Sequence, residues 1–402
     1  MRLKFASLLC AALLAVPLAA QSTGDAELDR RWQSMLAGGY EPLTIPTEWY
    51  DPVAEVKGAE TPVTSTSAEA SRISPTALAA AAGWAEGQNS TAFLVARDGE
   101  LVFERYWQGT KRDTRFNPQS MSKTVLAMLV GIAIDRGEIA SVDDPVSTYL
   151  PEWSGEARGA ITLRQMLWMS AGLEQGDDGF GYAVTLDNPI VRHSLGSDFT
   201  KLLFSLEPVA EPATAFDYNN QVNQLIGVVL ERATGMEYEV MLSERLWKPL
   251  GLRTAAMPLD REGGMALTSC CILSRPIDWL RLGELFLNGG RYDGEQIVPE
   301  SWLEEMTQPS PTYPGYGYQV WVHDQRIGGE RPPLVPLVPW QSEPFASEQV
   351  IIFHGHGGQR TYVMPDKGLV IVRAARAWPD AWDDALLPNV IWRGTEFEGE
   401  SE

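Results

Sequence analysis

The stretch Asn117-Pro-Gln-Ser-Met-Ser-Lys-Thr124 decides how this chain is read. Ser120 stands three positions before Lys123, and an apolar series follows at once in Val125, Leu126, Met128, Leu129 and Ile132. That spacing predicts a helix with one buried face, and residues three apart lie on the same side of a helix. Ser120 and Lys123 therefore point the same way from its first turn. A serine hydroxyl is a weak nucleophile near neutral pH and needs a base within hydrogen-bond reach. A lysine becomes that base when burial or a second cation lowers its pKa. The positive end of the helix favours negative charge on the serine oxygen and disfavours the lysine's proton. A capping serine followed by an exposed lysine would give the same letters. Two facts favour chemistry. Of seven lysines, only Lys123 has a serine or threonine three residues before it. Motifs suited to the same chemistry also follow in order.

Downstream, Phe216-Asp-Tyr-Asn-Asn220 precedes an apolar stripe of Val222, Leu225, Ile226, Val229 and Leu230, which predicts a helix from Asn219 to Thr234 closed by Gly235. Tyr218 is a candidate proton shuttle, since a nearby ammonium favours the phenolate. Asn220 is a candidate for binding a substrate amide or holding the lysine. A core tyrosine beside an Asn cap is the plainer alternative. Val350-Ile-Ile-Phe-His-Gly-His-Gly-Gly-Gln359 reads as a strand that sheds side chains at Gly355, Gly357 and Gly358, as happens where a ligand or another backbone comes close. A main-chain N–H there, with that of Ser120, would form an oxyanion hole; a turn with a satisfied histidine is the alternative. His354 and His356 share a strand face, which permits a metal pair. With four histidines in all and no further ligand motif, neither metal nor cofactor is expected. His193 and His323 lie in polar stretches and read as surface residues. The chain has no Gly-x-Ser-x-Gly elbow and no glycine-rich phosphate loop or dinucleotide fingerprint.

Composition bounds the rest. The 402 residues carry 32 Lys plus Arg against 53 Asp plus Glu, a formal charge of -21. That acidity argues against nucleic acid and against an anionic membrane surface as partners. Residues 1–20, with Arg2, Lys4 and an apolar run to Ala20, read as a signal peptide, so the protein is expected to be exported, periplasmic or secreted, with no membrane span after cleavage. Cys270 and Cys271 read as buried small apolar residues, with a vicinal disulfide through a strained ring as the alternative. Residues 21–72 read as a loose N-terminal extension and 396–402 as a frayed acidic tail. A sheet region, 73–118 with 265–395, is interrupted by a helical region, 119–264. In the sheet region, two β-rich runs flank Asp98-Gly99, a hairpin signal. Tyr318–Val322, Val350–Phe353 and Leu369–Arg373 are also β-like. Residues 174–200 read as a long loop carrying Tyr182, and the Pro-rich 331–344 as another loop.

Taken together, these motifs resemble the serine β-lactamase and penicillin-binding-protein superfamily, in the branch of class C β-lactamases, family VIII carboxylesterases and 6-aminohexanoate-dimer hydrolase. The resemblance covers most of residues 90–375 and includes Leu163–Leu173, Gly235 and Asp278-Trp279. It implies an α/β (α+β) fold with a mainly antiparallel sheet flanked by helices. It implies that Ser120 is acylated, with Lys123 as its base or its electrostatic support and Tyr218 as proton carrier. Ser120 and Gln359 would supply the oxyanion N–H groups, and Asn220 and Tyr182 would contact substrate. His356-Gly357-Gly358 falls where class C enzymes have Lys-Thr-Gly, so this carboxylate-binding box is altered and an ester or small linear amide is expected over a β-lactam. The alternatives are a D-Ala-D-Ala carboxypeptidase, a weak β-lactamase, or a non-catalytic sensor of peptides or cell-wall fragments on the same fold.

Overall fold

The computed structural model describes residues 23–42, 45–175, 184–196, 198–322, 339–376 and 382–395. In chain order its strands are β1 (Val53–Val56), β2 (Ser90–Arg97), β3 (Glu100–Tyr106), β4 (Ala255–Pro258), β5 (Arg291–Tyr292), β6 (Glu295–Gln296), β7 (Trp321–Val322), β8 (Ile351–Gly355), β9 (Gln359–Met364) and β10 (Leu369–Ala375). Six of them form one antiparallel sheet in the order β3-β2-β10-β9-β8-β7. β2 and β3 are the hairpin expected around Asp98-Gly99, both of which take positive φ. β1 pairs separately with β4.

The sheet is buried on both faces, and its side chains divide with the period of two that a strand imposes. Leu94, Phe353, Val363, Val370 and Val372 face one core, with the helices Ser122–Asp135 and Asp278–Leu287. Phe93, Val95, Ile352, Tyr362 and Ile371 face the other, under the helices Pro75–Gly87 and Leu386–Gly394. The α/β expectation therefore holds, with helices between β3 and β4 forming the middle of the chain.

The Ser122–Asp135 helix departs from the expected single apolar face: every residue from Ser122 to Ala133 is buried. It is walled by the sheet on one side and by the Asn220–Thr234 helix on another, so an all-round apolar sequence is what its place requires. Gly131 admits the Trp302 indole, whose Nε1 donates to the Ala127 carbonyl at 2.8 Å. A Cβ at Gly131 would fall 2.0 Å from that ring.

Several expectations need correction. The extension is ordered in part: Asp25 caps the helix Ala26–Gly38, whose Leu28, Trp32 and Met35 pack against Leu186, Val191 and Leu195. Residues 174–200 are not one loop, since Pro189–Leu195 is a helix begun by Asn188 and proline at its first turn. Cys270 and Cys271 form a vicinal disulfide, with Cys271 at φ 77°. The calls on residues 1–20, Tyr182, His323, residues 331–338 and residues 396–402 lie outside the described residues. Among the described residues no helix is long and apolar enough to cross a membrane.

Candidate active site

Ser120 sits in a short 3-10 turn, Gln119–Met121, that runs directly into the Ser122–Asp135 helix. Asn117 Oδ1 accepts the Gln119 N–H at 2.9 Å. Gln119 itself is held at φ 54°, a left-handed conformation costly for a non-glycine residue and frequent beside functional groups. Two hydroxyls further along pin the helix: Ser122 Oγ accepts the Ile272 N–H at 3.2 Å, and Thr124 Oγ1 donates to the Gln319 carbonyl at 2.9 Å.

Lys123 is 1 % exposed. Its Nζ lies 2.9 Å from Ser120 Oγ and 2.5 Å from the Ser269 carbonyl oxygen. Both neighbours are neutral oxygens, so burial dominates and holds the amine well below the ordinary lysine range. The same nitrogen is 5.1 Å from the centre of the Tyr218 ring, and the Ser120 hydroxyl is close enough to the Tyr218 phenol to act on its ionisation. Three groups from two separated segments thus meet at one point.

Tyr218 reaches this position because Asn219 caps the next helix. The Asn219 side chain accepts the N–H groups of Gln221 and Val222 and donates to the Leu173 and Glu174 carbonyls. The Tyr218 ring stacks on Trp321 at 5.8 Å and meets Tyr316 edge-on. Here the electrostatic expectation is reversed. Burial raises the Tyr218 pKa above the ordinary phenol range, with the nearby Ser120 hydroxyl opposing. The lysine that was to favour phenolate is itself pushed toward neutrality. Tyr218 is therefore a protonated phenol beside a lysine displaced toward the free amine.

The glycine-rich turn lies against this centre. A Cβ at Gly355 would fall 2.1 Å from the Pro118 carbonyl, two residues before Ser120, which is the physical reason for glycine there. His356–Gly358 form a turn in which Gly357 takes φ 75°. His356 is lowered to about 4, by burial first and then by Arg360, so it is neutral at pH 7. Asn220 is the first residue of its helix and half-buried. The strand face that His354 and His356 were expected to share does not form: His354 is buried in β8 beside Trp321, and His356 lies in the turn.

Sequence reasoning missed residues that complete the surroundings. His193, expected at the surface, is 2 % exposed. Its Nε2 lies 2.7 Å from Ser269 Oγ, and its ring stacks on Phe199. Burial first, and then Lys123, lower it to about 3. Gln319 donates to the Met166 and Leu167 carbonyls and accepts from Asn223. Arg360 and Arg373 are buried directly behind the glycine turn. For Arg373, a charged residue inside the otherwise apolar run Leu369–Ala375 was the available signal; Arg360, between Gln359 and Thr361, had none.

An antiparallel sheet, a buried helix opened by Ser-x-x-Lys, and a tyrosine delivered onto that pair define a β-lactamase- and transpeptidase-like protein. The chain belongs to the Beta-lactamase family, whose model matches residues 76–395. It is similar to the 6-aminohexanoate-dimer hydrolase of Paenarthrobacter ureafaciens, 29% identical over 225 residues that cover 54% of this chain and 56% of that protein. It is also similar to Esterase EstB of Burkholderia gladioli, 26% identical over 181 residues that cover 40% of this chain and 45% of that one. In these matches the chain spans about half the length of the curated relatives. A solved structure from Bacillus anthracis, a candidate 6-aminohexanoate-dimer hydrolase, has a TM-score of 0.68 at 20% identity, over 94% of this chain and 97% of that chain. That likeness is one of fold.

Proposed function

We propose that the protein is an exported serine hydrolase that cleaves an ester or a small linear amide through an acyl-enzyme on Ser120. The observation that carries this reading is the buried Lys123 amine, 2.9 Å from the Ser120 hydroxyl and bonded otherwise to a neutral carbonyl. An amine so placed accepts a proton near neutral pH. In the first step Ser120 Oγ bonds to the substrate carbonyl carbon while its proton passes to Lys123 Nζ. The N–H groups of Ser120 and Gln359 receive the developing oxyanion. Tyr218 gives its proton to the departing oxygen or nitrogen and is restored from Lys123. Water then attacks the acyl group, the acid leaves, and Ser120 regains a proton.

Substrate class follows from the altered box. A neutral His356 and the hydroxyl-free Gly357 offer little to a substrate carboxylate, which disfavours β-lactams and D-Ala-D-Ala peptides. The names of the two relatives, a 6-aminohexanoate-dimer hydrolase and an esterase, support the same choice. Asn220 is proposed to contact substrate, as is Tyr182. Export is supported by the N-terminal pattern and by the disulfide, which suits an oxidising compartment.

The test is fluorophosphonate labelling of wild type and Ser120→Ala, followed by turnover of short acyl esters, linear amides and nitrocefin. Labelling confined to wild type, with ester or amide turnover above nitrocefin, is expected. Equal labelling of both proteins would refute the acyl-enzyme, and preferred nitrocefin turnover would refute the substrate class.

A further inference from the structure

Behind the glycine turn, the sheet holds two arginines opposite one another. Arg360 on β9 and Arg373 on β10 are cross-strand partners, and both are fully buried. Like charges directly opposite in a sheet are destabilising, so the arrangement requires compensation. Arg360 obtains it from Asp384, with Nε 2.6 Å from Oδ1; Tyr362 and Trp382 hold the same carboxylate. Arg373 uses its donors differently. Its Nε donates to Ser90 Oγ at 2.8 Å, and its terminal nitrogens donate to the carbonyls of Gln88, Gly357 and Gly358. Its guanidinium lies 4.3 Å from the centre of the Trp382 ring.

The two cations divide the turn between them. Arg360 takes the carbonyls of Gly355 and Gln359, each at 3.0 Å. Arg373 takes those of Gly357 at 3.0 Å and Gly358 at 2.6 Å. Four carbonyls of the segment 355–359 are thus drawn toward the arginines. In a trans peptide the C=O and the following N–H point in opposite directions. The carbonyl of Gly358 and the N–H of Gln359 belong to the same peptide, so turning the first toward Arg373 turns the second away from it. A cation on the carbonyl also polarises the peptide and strengthens its N–H as a donor. The Gln359 side chain fixes the same residue by a two-way amide pair with the Ala375 backbone, 2.6 and 2.9 Å.

We propose that Arg373 is a positioning residue that orients and polarises the Gly358–Gln359 peptide so that its N–H stabilises the oxyanion formed at Ser120. This rests on the reading of Ser120 as the acylated nucleophile. The device supplies, through a backbone group, positive character that the altered His356-Gly357-Gly358 box does not supply through a side chain. It also explains why a guanidinium is kept in an apolar strand of a sheet core, where an unneeded cation is costly.

The experiment compares wild type with Arg373→Met and Arg373→Lys on a short acyl ester, together with the affinity of each for a boronic acid that mimics the tetrahedral adduct. For Arg373→Met we expect kcat to fall about tenfold to a hundredfold, short of or equal to the loss of an entire oxyanion donor. KM should stay within about twofold, and boronate affinity should fall in step with kcat. Arg373→Lys should recover part of both losses. A purely structural arginine would lower the melting temperature without this coupling. If Arg373→Met does not fold, Ser90→Ala, which releases the Nε anchor alone, carries the same readouts with a smaller fall. Unchanged kcat in a folded variant, or a fall in kcat with boronate affinity intact, overturns the proposal. Ester turnover and labelling at Ser120 in wild type separate that result from failure of the underlying reading, which would show no wild-type acylation.

Discussion

His193 gives a prediction that can be worked through from the structure. Its ring is 2 % exposed and lowered to about 3, whereas an unfolded histidine titrates near about 6.5. Below the unfolded value the unfolded chain binds a proton that the folded chain refuses. Stability therefore rises with pH in this window. The contribution is intact above about pH 6.5 and is lost progressively as pH falls toward the folded value of about 3. Between pH 7 and pH 5 this one imidazole removes about 2 kcal/mol of folding free energy, from about 1.36 kcal/mol per unit of separation. His193→Asn keeps a polar partner for Ser269 and cannot titrate, so its stability should fall less over the same interval by about 2 kcal/mol. The assay is urea unfolding followed by tryptophan fluorescence at pH 7 and pH 5, read as the change in midpoint at constant slope. His354 and His356 are lowered too, but they titrate alike in both proteins and cancel in the difference. Identical pH dependence in variant and wild type would refute the reasoning, whatever their absolute stabilities.

Three further outcomes are expected. In kcat/KM against pH, activity should rise as Lys123 loses its proton, with that limb well below the ordinary lysine value because burial lowers it; Lys123→Arg, which cannot deprotonate, should be inactive throughout, and retained activity would remove Lys123 as the base. Asn219→Ala should cost about 0.5–2 kcal/mol of stability through the lost cap and should lower kcat by loosening Tyr218; a drop in melting temperature with kcat unchanged would separate the cap from the chemistry. Gly131→Ala should destabilise by about 1–3 kcal/mol through overpacking against Trp302, and a calorimetric scan matching wild type would show that the indole can yield.

The residues legible in the sequence were those whose role is written in local spacing. Ser120 and Lys123 are one helical turn apart, Tyr218 precedes a capped helix, and Asp98-Gly99 turns a hairpin. What escaped depends on partners remote along the chain. Arg373 bonds to Ser90 across 283 positions, and His193 reaches Ser269 across 76. No periodicity encodes such pairings. His193 was misjudged because its neighbours are polar, although its helix is held down by apolar residues of the N-terminal segment. The adjacent cysteines were judged by ring strain alone, yet they are bridged, with Cys271 at φ 77°. The Tyr218 ionisation was misjudged because a neighbouring charge was weighed without the aromatic wall of Trp321 and Tyr316 that partly desolvates the ring.

The helix Ala26–Gly38 lies wholly outside the span matched by the family model, which begins at residue 76. Its Leu28, Trp32 and Met35 support Val191 and Leu195, and its Arg31 donates to the Leu195 carbonyl at 2.9 Å. Those two apolar residues flank His193, which grips Ser269, whose carbonyl receives the Lys123 amine. A protein trimmed to the family boundary would leave this face of the Pro189–Leu195 helix without its cover. For anyone shortening the chain for expression or display, the foundation of the Lys123 amine therefore extends some fifty residues upstream of where homology would place the cut.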